Sequence, residues 1–229
     1  MLAAARFDAV FFDLDGTLAD TAPDLGGALN RVRLEEGLEP LHLDALRRVT
    51  SHGVRGLLQV GFALAPGDRG YAALAARVLT HYSAALCVET QLFPGIAELL
   101  DLVEANRLRW GIVTNTALRY TVPVVDGLAL LRRAASVVGG DSAPRAKPSA
   151  DPLLLAAAVA GVEPARCLYV GDDARDIHAG LASGMATVAV RYGYLGDGLP
   201  IEAWGADHIA DHPLEIAGLL GIASARIAP

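Results

Sequence analysis

Short apolar runs alternate with helix-length segments along most of this chain, and that alternation limits the fold more than any other feature. The runs are Ala9 to Phe12, Trp110 to Val113, Ser136 to Val138, Cys167 to Val170 and Thr187 to Val190. Each is too short for a helix and is bounded by Gly, Asp or Asn, as expected of parallel strands buried on both faces. Between them lie the helical segments Pro94 to Asn106, Ala117 to Arg132, Pro152 to Ala160 and Arg175 to Ser183. Strands alternating with helices predict an α/β fold, a doubly wound parallel sheet. Asp151 before Pro152 reads as a helix N-cap, and Gly161 and Gly184 stand where a left-handed residue closes a helix.

One stretch interrupts the alternation. From about Leu18 to Val88 the sequence offers no convincing strand, only amphipathic patterns at Ala28 to Glu36, Leu43 to Val49, Val54 to Leu64 and Tyr71 to Ala85. A helical insertion there would sit beside the C-terminal end of the first strand, where open α/β sheets place their ligands. A module so placed can act as a lid.

Composition narrows the function. With 229 residues and 53% hydrophobic content the chain can bury a sizeable core, and no apolar run approaches the length of a membrane helix. Charged residues break the N-terminal apolar segment too early for a secretory signal, and Cys87 and Cys167 have no disulfide or CxxC pattern, so a soluble cytoplasmic protein is expected. A net charge of −7 argues against nucleic acid or an anionic membrane as partner. Among 19 basic residues one is lysine, Lys147; all others are arginine.

Four groups of residues stand at predicted strand ends. Asp13-Leu14-Asp15-Gly16-Thr17 follows the first strand, and strand periodicity turns Asp13 and Asp15 to the same side. Two carboxylates about 4 Å apart repel by roughly 4 kcal/mol at an effective dielectric near 20, so they need a cation, a proton or separation. An Asp-Gly turn closing a strand would also account for this pentapeptide. Thr114 and Asn115 end the second run and offer a hydroxyl, an amide and backbone N–H groups to a phosphoryl oxygen, although both types also cap strands and helices. Lys147 lies just before a helix start. A compact ammonium and a planar guanidinium are not interchangeable in a tight site, and a solvent-exposed lysine is the alternative. Gly171-Asp172-Asp173-Ala174-Arg175-Asp176 places Asp176 one helical turn beyond Asp172. Helix capping explains one of these carboxylates but not all. Asp13, Asp15, Asp172 and Asp176 together suit Mg²⁺, which takes a few carboxylates plus water and substrate phosphate.

Taken in order, Asp13-Leu14-Asp15-Gly16-Thr17, Thr114-Asn115, Lys147-Pro148 and Gly171-Asp172-Asp173 through Asp176 resemble the motifs of haloacid dehalogenase superfamily phosphatases. The resemblance extends over essentially the whole chain. It is closest to the phosphoglycolate phosphatase branch through Asp20-Thr21-Ala22-Pro23-Asp24-Leu25, Leu92-Phe93-Pro94-Gly95 and Asp151-Pro152-Leu153-Leu154-Leu155. Val190-Arg191-Tyr192-Gly193-Tyr194 and Trp204-Gly205-Ala206-Asp207 suggest the N-acetylmuramic acid 6-phosphate phosphatases instead. Thr116 stands where phosphoglycolate phosphatases often carry lysine. The resemblance implies a Rossmann-like core over 1–17 and 89–229, with an all-helical cap over 18–88.

The expected chemistry is hydrolysis of a small phosphorylated metabolite through an aspartyl-phosphate on Asp13. By resemblance Asp15 is the general acid and base. Asp13, the Asp15 backbone carbonyl and Asp172 would hold Mg²⁺, with Asp176 in its outer sphere or orienting Lys147. Thr114, the Asn115 backbone and Lys147 would hold phosphoryl oxygens. In the cap, His52 and Arg55 are candidates for substrate recognition, an arginine fork suiting a carboxylate best; a solvated helix-face arginine is the alternative. Asp15 speaks against a dehalogenase, whereas a phosphomutase shares the same core residues. A receiver-like phosphoacceptor module also gathers aspartates and a lysine at strand ends, but lacks the second aspartate and the insertion.

Overall fold

The computed structural model describes residues 7–196 and 198–222. The outermost parts of the expected core segments, 1–6 and 223–229, lie outside the described residues. The first strand, β1 (Ala9–Phe12), leads to a two-residue strand, β2 (Ala19–Asp20), and four helices: α1 (Ala22–Glu35), α2 (Leu43–Thr50), α3 (Gly53–Phe62) and α4 (Tyr71–Ala84). The chain returns through β3 (Gln91–Leu92) to α5 (Ile96–Ala105), β4 (Arg109–Val113), α6 (Leu118–Gly127), β5 (Ser136–Val138) and α7 (Asp151–Ala160). It finishes with β6 (Cys167–Gly171), α8 (Ala174–Ser183), β7 (Ala186–Val190), β8 (His208–Ala210) and α9 (Pro213–Leu219).

Six strands form one parallel sheet in the order β5-β4-β1-β6-β7-β8. The chain winds from β1 to β4 and β5, then crosses to β6 on the other side, so the topological switch falls at β1. Both faces are covered. Val10 and Phe12 join one core cluster with Ile96, Leu99 and Ile216, while Ala9 and Phe11 join another with Leu153 and Ala157. That double burial is why each strand reads as a continuous apolar run.

The helical region has its own core, built on Leu29, Leu46, Leu57, Leu58 and Val78. Its entry and exit are joined by β2 and β3, which pair antiparallel through Ala19 with Leu92 and Asp20 with Gln91. The buried Asp24 carboxylate clasps the exit, accepting from the backbone N–H groups of Val88, Glu89 and Thr90 at 3.0 Å each.

Several local expectations change. Strands β2, β3 and β8 and helix α9 are additional elements, and α1 begins at Ala22 rather than Ala28. Helix α6 stops at Gly127, short of Arg132, and Ala129 is left-handed at φ 59°. Asp151 is not an N-cap: it lies inside the first turn of α7, and its carboxylate takes the Arg145 fork at 2.8 and 2.9 Å. Gly161 and Gly184 do close α7 and α8 in the left-handed conformation.

Candidate active site

Three adjacent strands deliver the candidate residues to one edge. Asp13 follows β1, Thr114 follows β4 and Asp172 follows β6, all at C-terminal ends beside the switch point. Leu14 turns into the core while Asp13 and Asp15 stay at the edge, both 7% exposed. Gly16 permits this turn with φ at 91°; a Cβ there would lie 2.2 Å from Asp172 Oδ2. On the next helix, Asp173 caps the N-terminus of α8 and Asp176 completes a capping box by accepting from the Asp173 N–H at 3.1 Å.

Carboxylate oxygens of Asp13, Asp172 and Asp176 lie within 4.8 Å of one another, all buried. Lys147 is the counter-charge. Its Nζ lies 2.9 Å from Asp13 Oδ1 and 2.7 Å from Asp176 Oδ1, and it donates to the Val113 carbonyl at 2.8 Å and the Tyr169 hydroxyl at 2.9 Å. Asn115 fixes the lysine backbone from both sides, accepting from the Lys147 N–H at 3.0 Å and donating to its carbonyl at 3.1 Å. The Asn115 side chain is thereby committed, leaving its backbone to face a ligand.

Burial shapes the charges. It pushes the Asp13 carboxyl up against the opposing pull of Lys147, with the Asp15 charge adding to the rise. Burial, with Asp13 and Asp176 nearby, holds Asp172 well above the carboxylate range. Asp176 is pushed up to about 7 by burial, which outweighs Lys147. Burial opposes the Lys147 charge too, but Asp13 and Asp176 outweigh it and hold the ammonium well above its ordinary value. Three buried carboxylates against one ammonium leave a deficit of positive charge.

A divalent cation fits that deficit. The donors are all oxygens, and Asp13 Oδ1, despite its ionic approach to Lys147, has no partner in hydrogen-bond geometry. Three clustered buried carboxylates with a single ammonium between them suit a hard cation. The Asp15 carboxylate is not part of this cluster. It turns toward three threonine hydroxyls, accepting from Thr21 at 2.6 Å, Thr116 at 2.8 Å and Thr114 at 3.3 Å.

Above the edge lies a cavity of about 210 Å³ between sheet and helical region. Asp13, Asp15, Lys147 and Asp176 line its floor, with Thr114, Asn115 and Thr116 at one side. Leu25, Val54, Leu79, Tyr82 and Tyr120 form an apolar and aromatic wall, and Thr50, Ser51 and His52 a polar one. His52 faces the cavity with Nε2 3.7 Å from Asp173 Oδ2. Arg55 is exposed and does not line the cavity. The arginine present is Arg175, whose fork holds Asp173 at 2.8 and 2.9 Å and reaches the Ser51 carbonyl at 2.7 Å. Although burial opposes it, Arg175 keeps the Asp173 carboxyl below its ordinary value.

The sequence motifs assign no role to Tyr169 or to Arg175, although Arg175 lies between Asp173 and Asp176. Tyr169 stands beneath the lysine, its hydroxyl 2.9 Å from the Val113 carbonyl and 3.3 Å from Asp176 Oδ1. The available signal was a phenol inside a buried strand, which requires a polar partner.

A family model described as haloacid dehalogenase-like hydrolase matches residues 10–190. The chain belongs to the haloacid dehalogenase-like hydrolase family. Among its relatives in this family, an N-acetylmuramic acid 6-phosphate phosphatase of Pseudomonas putida is 41% identical over 211 residues, covering 92% of this chain and 95% of that one. A phosphoglycolate phosphatase of Xanthomonas campestris is 42% identical over 210 residues, covering 91% and 94%. A crystal structure described as a predicted phosphoglycolate phosphatase from Haemophilus somnus superposes with a TM-score of 0.83 at 25% identity, covering 95% of this chain and 99% of that one. Among the described residues, no helix is long and apolar enough to cross a membrane.

Proposed function

We propose that this haloacid dehalogenase-like hydrolase is a Mg²⁺-dependent phosphomonoesterase working through a phosphorylated Asp13. The observation that carries the reading is Asp13 itself, a buried carboxylate on the cavity floor, ion-paired with Lys147 and clustered with two further carboxylates that together outnumber the one ammonium. In this reading an Asp13 oxygen bonds to phosphorus as the ester P–O bond breaks, and Asp15 gives its proton to the leaving oxygen. Water then attacks phosphorus and gives its proton to Asp15. The Asp13–phosphorus bond breaks, releasing inorganic phosphate. Thr21, Thr114 and Thr116 hold the Asp15 carboxylate in place through its two oxygens.

Lys147 and the Asn115 backbone N–H receive the phosphoryl oxygens and stabilise their charge. Asp13, Asp172, Asp176 and the Asp15 carbonyl would hold Mg²⁺, which supplies charge neutralisation between carboxylates and phosphate when bound.

The cavity favours a sugar phosphate with apolar ring substituents over phosphoglycolate, and N-acetylmuramic acid 6-phosphate has that chemistry. Leu25, Val54, Leu79, Tyr82 and Tyr120 suit an acyl or ether substituent, and Thr50, Ser51 and His52 suit hydroxyl and amide groups. Phosphoglycolate has no apolar group to place against that wall; both substrates carry a carboxylate, so the wall is the feature that separates them.

Phosphate release should be measured on N-acetylmuramic acid 6-phosphate, glucose 6-phosphate, phosphoglycolate and p-nitrophenyl phosphate, with Mg²⁺ and with EDTA. The highest kcat/KM is expected for the first, with loss of turnover in EDTA. Absence of Mg²⁺-dependent release from every substrate overturns the phosphatase reading. Preference for phosphoglycolate overturns only the substrate, and transfer to a second sugar instead of water makes the enzyme a mutase.

A further inference from the structure

The segment Arg191-Tyr192-Gly193-Tyr194 has no part in that chemistry, yet it is wedged between the carboxylate cluster and both crossings into the helical region. After β7 ends at Val190, the chain turns so that the Tyr194 backbone N–H donates to Asp172 Oδ2 at 2.9 Å. Gly193 makes the approach possible: a Cβ there would lie 2.3 Å from Asp172 Cβ and 2.5 Å from the Gly16 carbonyl oxygen. The buried Tyr194 side chain reaches the entry crossing. Its hydroxyl donates to Asp20 Oδ1 at 2.8 Å and accepts from the Ala22 N–H at 3.0 Å. Phe93, beside the exit crossing, meets the Tyr194 ring edge-on at 6.2 Å.

These contacts exceed what a packing tyrosine needs. Thr21 is the N-cap residue of α1 but spends its hydroxyl on Asp15, so an amide of the first turn is satisfied by Tyr194 instead. The other Asp20 oxygen is held by Arg47 of α2 at 2.6 Å. A continuous line of polar contacts therefore runs from Arg47 through Asp20 and Tyr194 to Asp172. Thr17 and Ser51 also donate to Asp172, at 3.0 and 3.3 Å, but the Tyr194 N–H is supplied by a loop that the phenol pins to β2 and α1.

We propose that Tyr194 is a positioning residue that ties Asp172 to the entry crossing, so that the metal site is fully formed when β2 occupies this position. The proposal rests on reading the Asp13, Asp172 and Asp176 cluster as a divalent-cation site. Groups that orient a metal-binding carboxylate from behind set affinity because a ligand free to rotate must be ordered on binding. Removing the phenol oxygen leaves the Tyr194 N–H in place but unpins the loop that presents it to Asp172.

The test is Mg²⁺ binding by calorimetry on the whole protein, without substrate, so that it stands apart from turnover. Tyr194→Phe keeps the ring and is expected to raise the Mg²⁺ Kd by about ten-fold. Asp20→Ala removes the acceptor, breaks the same line from the other end and carries the test if Tyr194→Phe does not fold. The double variant should bind no more weakly than the weaker single one, because both changes break one coupling. Phe93→Leu removes packing from the same ring; it should lower the melting temperature and leave the Kd unchanged. A wild-type Kd in both Tyr194→Phe and Asp20→Ala, or equal weakening by Phe93→Leu, overturns the proposal while leaving the metal site standing. Absence of Mg²⁺ binding by the wild-type protein overturns both.

Discussion

Replacing Lys147 with methionine removes the ammonium facing Asp13 and Asp176 while keeping an unbranched chain of similar length. The ammonium lies within 2.9 Å of both carboxylates and is 5% exposed, so its loss strands buried negative charge. Breaking such a pair costs about 3–5 kcal/mol. At roughly 2–4 °C per kcal/mol for a chain of this size, the metal-free variant should melt about 6–20 °C below wild type. Protonation limits the loss and gives it a pH signature. Asp176 is already pushed up to about 7 by burial against the pull of Lys147, and without that pull it rises further. A carboxyl raised in the folded state binds more protons there than in the unfolded chain, so stability falls as pH rises from the unfolded value to the folded one. In wild type the Asp176 contribution levels off near 7. In the variant it continues to fall above 7, by at most about 1.4 kcal/mol per pH unit for each such group. The gap in melting temperature, measured in EDTA, should therefore widen between pH 7 and 8.5. Lys147→Arg keeps the charge, but the acceptors at 2.7–2.9 Å converge on one nitrogen, and a planar fork cannot replace it without overpacking. That variant should lose aryl phosphate turnover. Melting of Lys147→Met within about 2 °C of wild type, a gap independent of pH, or full turnover in Lys147→Arg would refute the argument.

Asp13→Asn should lower Mg²⁺-dependent phosphate release by on the order of a thousand-fold or more, as expected for loss of a nucleophile. It should melt no lower than wild type in EDTA, because it removes one of three crowded buried charges; a large drop in melting temperature would mean that Asp13 is chiefly structural. At pH 8 a disulfide reagent should label the half-buried Cys87 first, because burial has pushed the Cys167 thiol up to about 12 and leaves roughly one molecule in ten thousand as thiolate. Equal labelling rates for the two cysteines in the native protein would contradict that placement.

The elements readable from the sequence were those whose signal is local. Strands β1, β4, β5, β6 and β7 are buried on both faces and so announce themselves as apolar runs. The edge strand β8, with His208 exposed and three residues in all, has no such pattern, and the β2–β3 ribbon exists only because the ends of the helical region are brought together. The side chains divide along the same line. Asp13, Asp172 and Asp176 sit at strand ends or a helix start, and Lys147 in the turn before α7, positions that chain order and motif spacing report. Arg55 stands out in the sequence by its functional group alone, and on α3 it is exposed.

Tyr169 and Tyr194 were harder to read because a phenol acts at the far end of a long side chain, and its partner is fixed by topology rather than by neighbours in sequence. Burial still leaves a trace of them. A hydroxyl in an apolar strand, as in Leu168-Tyr169-Val170, must find an acceptor or donor under the sheet. Here that partner is the single lysine of the chain, which in turn holds two carboxylates. A net charge of −7 therefore says little about whether phosphate can approach this site. What matters is how the negative charge is distributed: three of the carboxylates are concentrated where one ammonium leaves them short of positive charge, and a divalent cation bound there turns an acidic edge into one that attracts an anion.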